Sequence, residues 1–246
     1  IQADLKTFHQ FGVFGTSVLV AVTAQNTRGV TGIHAIPLDI VRLQIDAVAS
    51  DLAPGAMKTG MLATKEMVEV VAEAIEHHGV PNYVLDPVMV ATSGDRLLEA
   101  DAELSVNERL VPLATLVTPN LAEAQILVGE EIESIEQMER AGRTLVELGA
   151  KAALIKGGHL DGETVVDVLV LGDDAAVRQF RRPKIDTTST HGTGCTLSSA
   201  VTAGLARGRD LERSVYDAVQ FVHRAIATAP GLGQGNGPLN HFASTS

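Results

Sequence analysis

The segment THGTGCTLSSA, Thr190 to Ala200, holds the chain's single cysteine, Cys195, where a glycine turn meets the start of a helix. Gly192, Thr193 and Gly194 can point successive backbone N–H groups in one direction, and the helix that follows adds the positive end of its dipole. Together they form a cradle for an anion, or else a turn that only redirects the chain. The same dipole would lower the pKa of Cys195 and equip it to take a proton from a substrate hydroxyl. The other reading is a small residue that fits a crowded turn, as free cysteines often do. Covalent chemistry would call for a base beside the thiol. His191 is near only in sequence.

Other polar residues follow short apolar runs. Lys156 ends AALIK and precedes two glycines, which suits a phosphate oxygen brought close to backbone or an ordinary lysine at a strand end. Asp86, in VLDPVM, is either a ligand to Mg²⁺, whose sites often use one or two carboxylates plus phosphates, or a turn former before proline. Asn120 and Glu123, in TPNLAEA, have the spacing of a helix cap. Alternatively, Glu123 orders magnesium-bound water and Asn120 touches a phosphate chain. His77 and His78 fall at a helix end, where the dipole favours them. Neither HExxH nor paired Cys/His spacing supports zinc, and the chain has no GxxxxGK[ST] loop.

The elements that must position these residues alternate. Helical spacing runs from about Gln2 to Phe11, with Leu5 and Phe8 on one side. The apolar run Thr16 to Val22 predicts a strand buried on both faces. A polar loop from Thr23 to Ile36 follows, and its glycines make it a candidate lid. Pro37 opens the next helix at its first position. Short strands are expected at Ala56–Lys58, Tyr83–Leu85, Leu116–Thr118 and Ala152–Ile155, with Thr64 capping the helix that contains Met67, Val71 and Ile75. Val165–Leu171 and Val177–Phe180 read as an antiparallel pair around LGDDAA. Helices close the chain at about Gly194–Arg207 and Leu211–Ala227, before a glycine-rich tail. Strands alternating with helices predict a mostly parallel sheet covered on both faces. Ligands gather beyond the carboxyl ends of such strands, where Gln25, Lys58, Asp86, Asn120 and Lys156 fall.

Composition sets the outer bounds. The 246 residues suit one α/β domain. Hydrophobic residues make up 45% and aromatics only 3%, so the core is aliphatic. A net charge of −11 argues against a nucleic-acid surface. One cysteine excludes an intrachain disulfide and fits a cytoplasmic location. No apolar run is long enough to span a bilayer.

Seven segments, in order, resemble the hydroxymethylpyrimidine/phosphomethylpyrimidine kinases of thiamine biosynthesis, in the ribokinase-like superfamily. They are IQADLKTF, TAQNTRGV, AMKTGML, VLDPVMVATSGDRLL, LVTPNLAEA, ALIKGGHLDG and THGTGCTLSSA. The resemblance runs from residue 1 to about 242. It implies a three-layer α/β/α fold, usually a homodimer, and ATP- and Mg²⁺-dependent phosphorylation of 4-amino-5-hydroxymethyl-2-methylpyrimidine and then of its monophosphate. On that resemblance Asp4 and Gln25 hydrogen-bond the aminopyrimidine, and Met61 packs near its ring. Asp86, Asn120 and Glu123 form the magnesium and phosphate network, and Lys156 binds the ATP phosphates. The turn Gly192, Thr193, Gly194 is the anion hole, and Cys195 stands where many sugar kinases of the superfamily carry an aspartate base.

Members of this family normally begin with a strand and a segment resembling GSDSGGGAG directly before IQAD. The chain starts at Ile1, so this segment is expected to be missing, which would leave sheet edges unpaired. A pyridoxal/pyridoxine kinase is the rival within the superfamily, with Gln25 and Met61 favouring the pyrimidine enzyme. A non-catalytic vitamin-binding derivative is the rival from another class. A dinucleotide oxidoreductase is weaker, since no GxGxxG follows a first strand.

Overall fold

The computed structural model describes residues 1–89, 100–158, 162–172 and 176–245. Part of the VLDPVMVATSGDRLL segment (90–99), part of GGHLDG (159–161) and the centre of the LGDDAA turn (173–175) lie outside the described residues. The chain divides into two compact units, Ile1–Met57 with Glu73–Pro81 and Ile185–Ser246, and Lys58–Ala72 with Asn82–Lys184.

The second unit contains the central sheet. Its six strands follow one another in sequence order: β3 (Met57–Thr59), β4 (Tyr83–Leu85), β5 (Leu116–Val117), β6 (Ala152–Ile155), β7 (Thr164–Leu171) and β8 (Val177–Pro183). β4, β5 and β6 run parallel. β6–β7 and β7–β8 are antiparallel, with Ile155 opposite Val168 and Asp167 opposite Phe180. The middle strands are short and apolar because they are buried throughout. Val84, Leu85, Leu116, Val117, Leu154 and Ile155 are all closed to solvent. Helix α3 (Lys65–His78), of which Lys65–Ala72 belongs to this unit, starts under Thr64, whose hydroxyl accepts from the Met67 amide at 3.3 Å. α4 (Ala100–Ser105), with a π turn and a 3₁₀ turn after it, and α5 (Leu121–Val128) and α6 (Ile135–Glu147) complete the unit. The sequence reading assigned neither α4 nor α6. α6 is nonetheless strongly amphipathic, capped by Ser134 and buried through Met138, Ala141 and Leu145.

The first unit contains α1 (Gln2–Gln10), the hairpin β1 (Ala21–Asn26) and β2 (Gly29–Ala35), α2 (Leu38–Asp51), α7 (Thr193–Ala206) and α8 (Leu211–Ala227). Four expectations need correction. Thr16–Val22 is not a doubly buried strand. Residues 16–20 belong to no strand, and the pairing begins at Ala21 in a two-stranded hairpin whose residues are mostly exposed. The supposed polar loop supplies most of both arms, with Thr23 opposite Ile33 and Asn26 opposite Gly29. Polar Thr23, Gln25, Thr31 and His34 are what a solvated hairpin requires, whereas the apolar run before them has no strand to pair with. In α1 the buried residues are Asp4 and Thr7, not Leu5 and Phe8, which sit half-exposed against the backbone at Gly15. Pro37 is the cap residue and not the first helical one; its ψ of 140° is extended, and the helix starts at Leu38. α7 is buried along nearly its whole length, and Phe221 of α8 meets Phe11 edge to face at 5.1 Å. Among the described residues no helix is long and apolar enough to cross a membrane.

Candidate active site

In the second unit, the residues just past β3, β4, β5 and β6 are bonded to one another. The Asp86 amide donates to the Thr59 carbonyl at 3.1 Å, Thr118 to Leu85 at 2.9 Å, and Lys156 to Pro119 at 2.9 Å. Asn120 and Lys156 form one further parallel bridge beyond the strands. These bonds extend the sheet by a residue or two and bring its polar endings together, as the rule for ligand sites in parallel sheets requires.

Asp86 is 1% exposed. Its Oδ1 lies 3.1 Å from the Lys156 ammonium and accepts from the Thr118 hydroxyl at 3.3 Å. Its Oδ2 faces the Lys58 ammonium at 3.9 Å. Lys156 also lies 4.0 Å from Glu123 Oε2. Two ammonium groups thus balance two carboxylates in a region with almost no water, the arrangement that makes buried charge tolerable. Glu123 closes a capping box at the start of α5. Its carboxylate accepts from the Asn120 amide at 2.8 Å, while Asn120 Oδ1 accepts from the Glu123 amide at 3.0 Å. Burial pushes the Glu123 carboxyl above its ordinary value of 4.5; Lys156 opposes that rise, Asp86 adds to it, and backbone bonds from Asn120 and Met89 oppose it. The capping reading and the ligand reading of Asn120 and Glu123 therefore describe one arrangement, because the cap holds Glu123 beside the charges.

A divalent cation suits this donor set. The Lys156 ammonium already occupies the space between the two carboxylates, so a positive centre fits there. Among the described residues no group of three or more His, Cys, Asp or Glu gathers as a metal cluster. Magnesium sites with one or two carboxylates take their remaining ligands from phosphate and water.

In the first unit, Gly192 caps α7 with φ 79°, a left-handed conformation that favours glycine. The Thr193 hydroxyl ties the turn to the Thr190 carbonyl at 2.8 Å. The first i→i−4 bond of the helix runs from Thr196 to Gly192, so the Gly194 and Cys195 amides precede the ladder. No acidic residue occupies this first turn. Cys195 is half-buried. His191 is exposed, and its amide donates to Gly237. One residue past Cys195, the Thr196 hydroxyl meets His241 Nε2 at 3.1 Å. The His241 pKa is lowered by burial first and by Lys6 next, with a Leu239 backbone bond and Asp4 opposing. Asp4 accepts from Ser199 of α7 at 2.7 Å, which sets α1 against the helix that carries Cys195.

The structure thus gathers Asp86, Asn120, Glu123 and Lys156 in one unit, and Asp4 with the Gly192–Cys195 turn in the other. Gln25 lies on the exposed hairpin, where it accepts from Thr23 at 3.3 Å. Met61 is half-buried just beyond β3. Sequence reasoning gave no role to Lys58 or Thr118, although Lys58 stands at a strand end in AMKTG and carried that signal.

Comparisons with known proteins identify the family. The profile of the phosphomethylpyrimidine kinase family matches residues 1–240. A hydroxymethylpyrimidine/phosphomethylpyrimidine kinase of Rhizobium meliloti (strain 1021) is 47% identical over 98% of this chain and 91% of its own. Among solved structures, the ADP complex of Bacillus subtilis pyridoxal kinase is 37% identical with a TM-score of 0.90, over 99% of this chain and 92% of that one. The phosphomethylpyrimidine kinase of Clostridium difficile 630 is 39% identical with a TM-score of 0.81, over 92% of each chain. The α/β class and the ribokinase-like fold expected from the sequence hold.

The raised Glu123 pKa fixes a pH trend. A carboxyl whose folded pKa exceeds its unfolded value binds protons more tightly in the folded state. Its stabilisation is full below 4.5 and is lost as pH rises through the folded pKa. Relative to Glu123→Gln, the natural chain should therefore lose unfolding free energy as pH rises from 4.5, as read by denaturant titration. A gain over that interval would contradict the burial argument.

Proposed function

The chain belongs to the phosphomethylpyrimidine kinase family, and on that footing we propose that it phosphorylates 4-amino-5-hydroxymethyl-2-methylpyrimidine and then its monophosphate, with ATP as donor. The observation that carries the reading is the paired lysine–carboxylate cluster of Lys156, Asp86 and Glu123 at the strand ends. A buried ammonium shared between two carboxylates can turn to phosphate oxygens when these arrive. Asp86 would then hold Mg²⁺ and Glu123 would order its water, while Asn120 donates to the phosphate chain. When bound, Mg²⁺ neutralises charge on the phosphate oxygens.

In the first unit, the N–H groups of the Gly192–Cys195 turn offer hydrogen bonds to the transferred phosphoryl group. Cys195, as its thiolate, takes the proton of the substrate hydroxyl. The alcohol oxygen forms a bond to phosphorus as the bond to ADP breaks. A loose phosphoryl-transfer transition state needs little deprotonation, so the turn and Lys156 contribute more of the rate than Cys195 does. Asp4 and Gln25 hydrogen-bond the aminopyrimidine, and Met61 packs near its ring. A cytoplasmic location is part of this reading, and the lone cysteine supports it. Val22 and Ile33 of the hairpin and Ile40 and Leu43 of α2 expose apolar surface, which a second copy of the chain would cover in a homodimer. A monomeric mass in light scattering would refute that assembly.

A second reading, pyridoxal kinase, is favoured by the TM-score of 0.90 to the Bacillus subtilis enzyme. Mass spectrometry of reactions with Mg²⁺, ATP and either ring compound separates the two. The expected products are the mono- and diphosphate of the pyrimidine; pyridoxal phosphate alone, or no product, would overturn the proposal. Cys195→Ala should slow turnover about tenfold to a hundredfold with ATP affinity kept. Unchanged turnover would remove Cys195 from the base role.

A further inference from the structure

The middle of β7 reads TVVDVLVL, one acid in an apolar strand. That acid, Asp167, is 1% exposed. Its Oδ2 lies 2.7 Å from Arg182 Nη1, an ion-pair contact away from the hydrogen-bonding direction. The pair is diagonal across β7 and β8, since Val165 stands opposite Arg182 and Asp167 opposite Phe180. A buried ion pair seldom adds net stability over apolar residues of similar size. Its place in mid-strand calls for a role that an apolar pair would not fill.

That role is visible at the other carboxylate oxygen. Asp167 Oδ1 accepts from the Gly157 amide at 3.0 Å. The β6–β7 ladder ends with Ile155 opposite Val168. Continued by two residues, it would set Gly157 opposite Val166. There the backbones come so close that a Cβ on Gly157 would overlap the Val166 carbonyl oxygen. The Asp167 carboxylate receives the Gly157 amide where the ladder has stopped. On its other side, Lys156 donates its own amide to Pro119 at 2.9 Å. Both peptide groups that flank the Lys156 Cα are therefore pinned, one to the β5 side and one to β7. Pinning both fixes the direction of the Cα–Cβ bond, and with it the line along which the ammonium reaches Asp86.

We propose that Asp167, held by Arg182, is a positioning residue for Lys156. Its carboxylate takes the Gly157 amide so that the Lys156 ammonium stands where ATP phosphates bind. This rests on the reading of Lys156 as a phosphate ligand. Asp167 itself touches no reacting atom in this scheme and acts through the backbone.

The test compares two double variants that share one change. Asp167→Asn/Arg182→Met keeps an oxygen acceptor for Gly157, and Asp167→Leu/Arg182→Met removes it. Steady-state kinetics with Mg²⁺-ATP and hydroxymethylpyrimidine should show kcat/KM for ATP falling about tenfold to a hundredfold in the leucine variant and staying within about threefold of the natural chain in the asparagine variant. The KM for the pyrimidine should be unmoved in both, which a general loosening of the fold would not allow. Equal losses in the two folded variants, or no loss in either, overturn the proposal. Lys156→Met, measured alongside, separates the two layers. If it loses ATP turnover while both double variants do not, the positioning role fails and the phosphate role stands. If it keeps full turnover, both fail. Should the leucine variant not fold, amide hydrogen exchange on the natural chain decides. The Gly157 amide should exchange as slowly as those of β6, and exchange at the rate of an exposed turn overturns the proposal.

Discussion

A carboxylate buried as deeply as Asp86 has to be answered by positive charge, and that requirement organises the second unit. The answer comes from two strands at once. Lys58 lies within β3 and Lys156 follows β6, on either side of the β4 ending that carries Asp86. Moving any one of these strand ends would leave an ammonium or a carboxylate in a nearly dry environment, at a cost of several kcal/mol per ion. The extra backbone bonds beyond the strands, from Asp86 to Thr59 and from Lys156 to Pro119, are the means of keeping the register. On the proposed reading, an incoming polyphosphate and its metal bring the same two kinds of charge and would replace internal pairs with external ones.

The first unit solves a different problem, how to present backbone N–H groups without a charged side chain among them. Gly192 in a left-handed conformation aims the turn, and the Thr193 hydroxyl locks it to Thr190. Burial of α7 along most of its length fixes the axis of the dipole. Asp4, bonded to Ser199, adds a tie from α1 to the same helix. The half-buried thiol of Cys195 sits in the first turn of this rigid element.

The polar endings of short apolar runs were legible in the sequence because each run is a completely buried strand and its ending is the first place where polarity is tolerated. Asp86, Lys156 and the Asn120–Glu123 box were all found on that signal. Lys58 carried it too, but nothing in the sequence says which acid a lysine will meet. Asp167 was illegible for the opposite reason, since an acid inside TVVDVLVL looks like a strand residue facing solvent. Only the register of β6 against β7 reveals that it takes over a ladder bond. Thr16–Val22 misled because apolar, β-branched composition reports burial only where a neighbouring strand exists. In the hairpin that follows, alternating Thr23 and Gln25 gave the truer sign of an exposed strand. α6, by contrast, shows its apolar face in the sequence itself, at Met138, Ala141 and Leu145.

The central claim is that the Lys156 ammonium, balanced between Asp86 and Glu123, is the group that receives the ATP phosphates. Calorimetric titration of ATP into the natural chain and into Lys156→Met, at the same Mg²⁺ concentration, tests it without reference to turnover. The account predicts that ATP binds the variant about tenfold or more weakly, the worth of a charge-assisted hydrogen bond to phosphate. Equal dissociation constants for the two folded chains would contradict it, and would leave the buried lysine as no more than the counter-ion of Asp86.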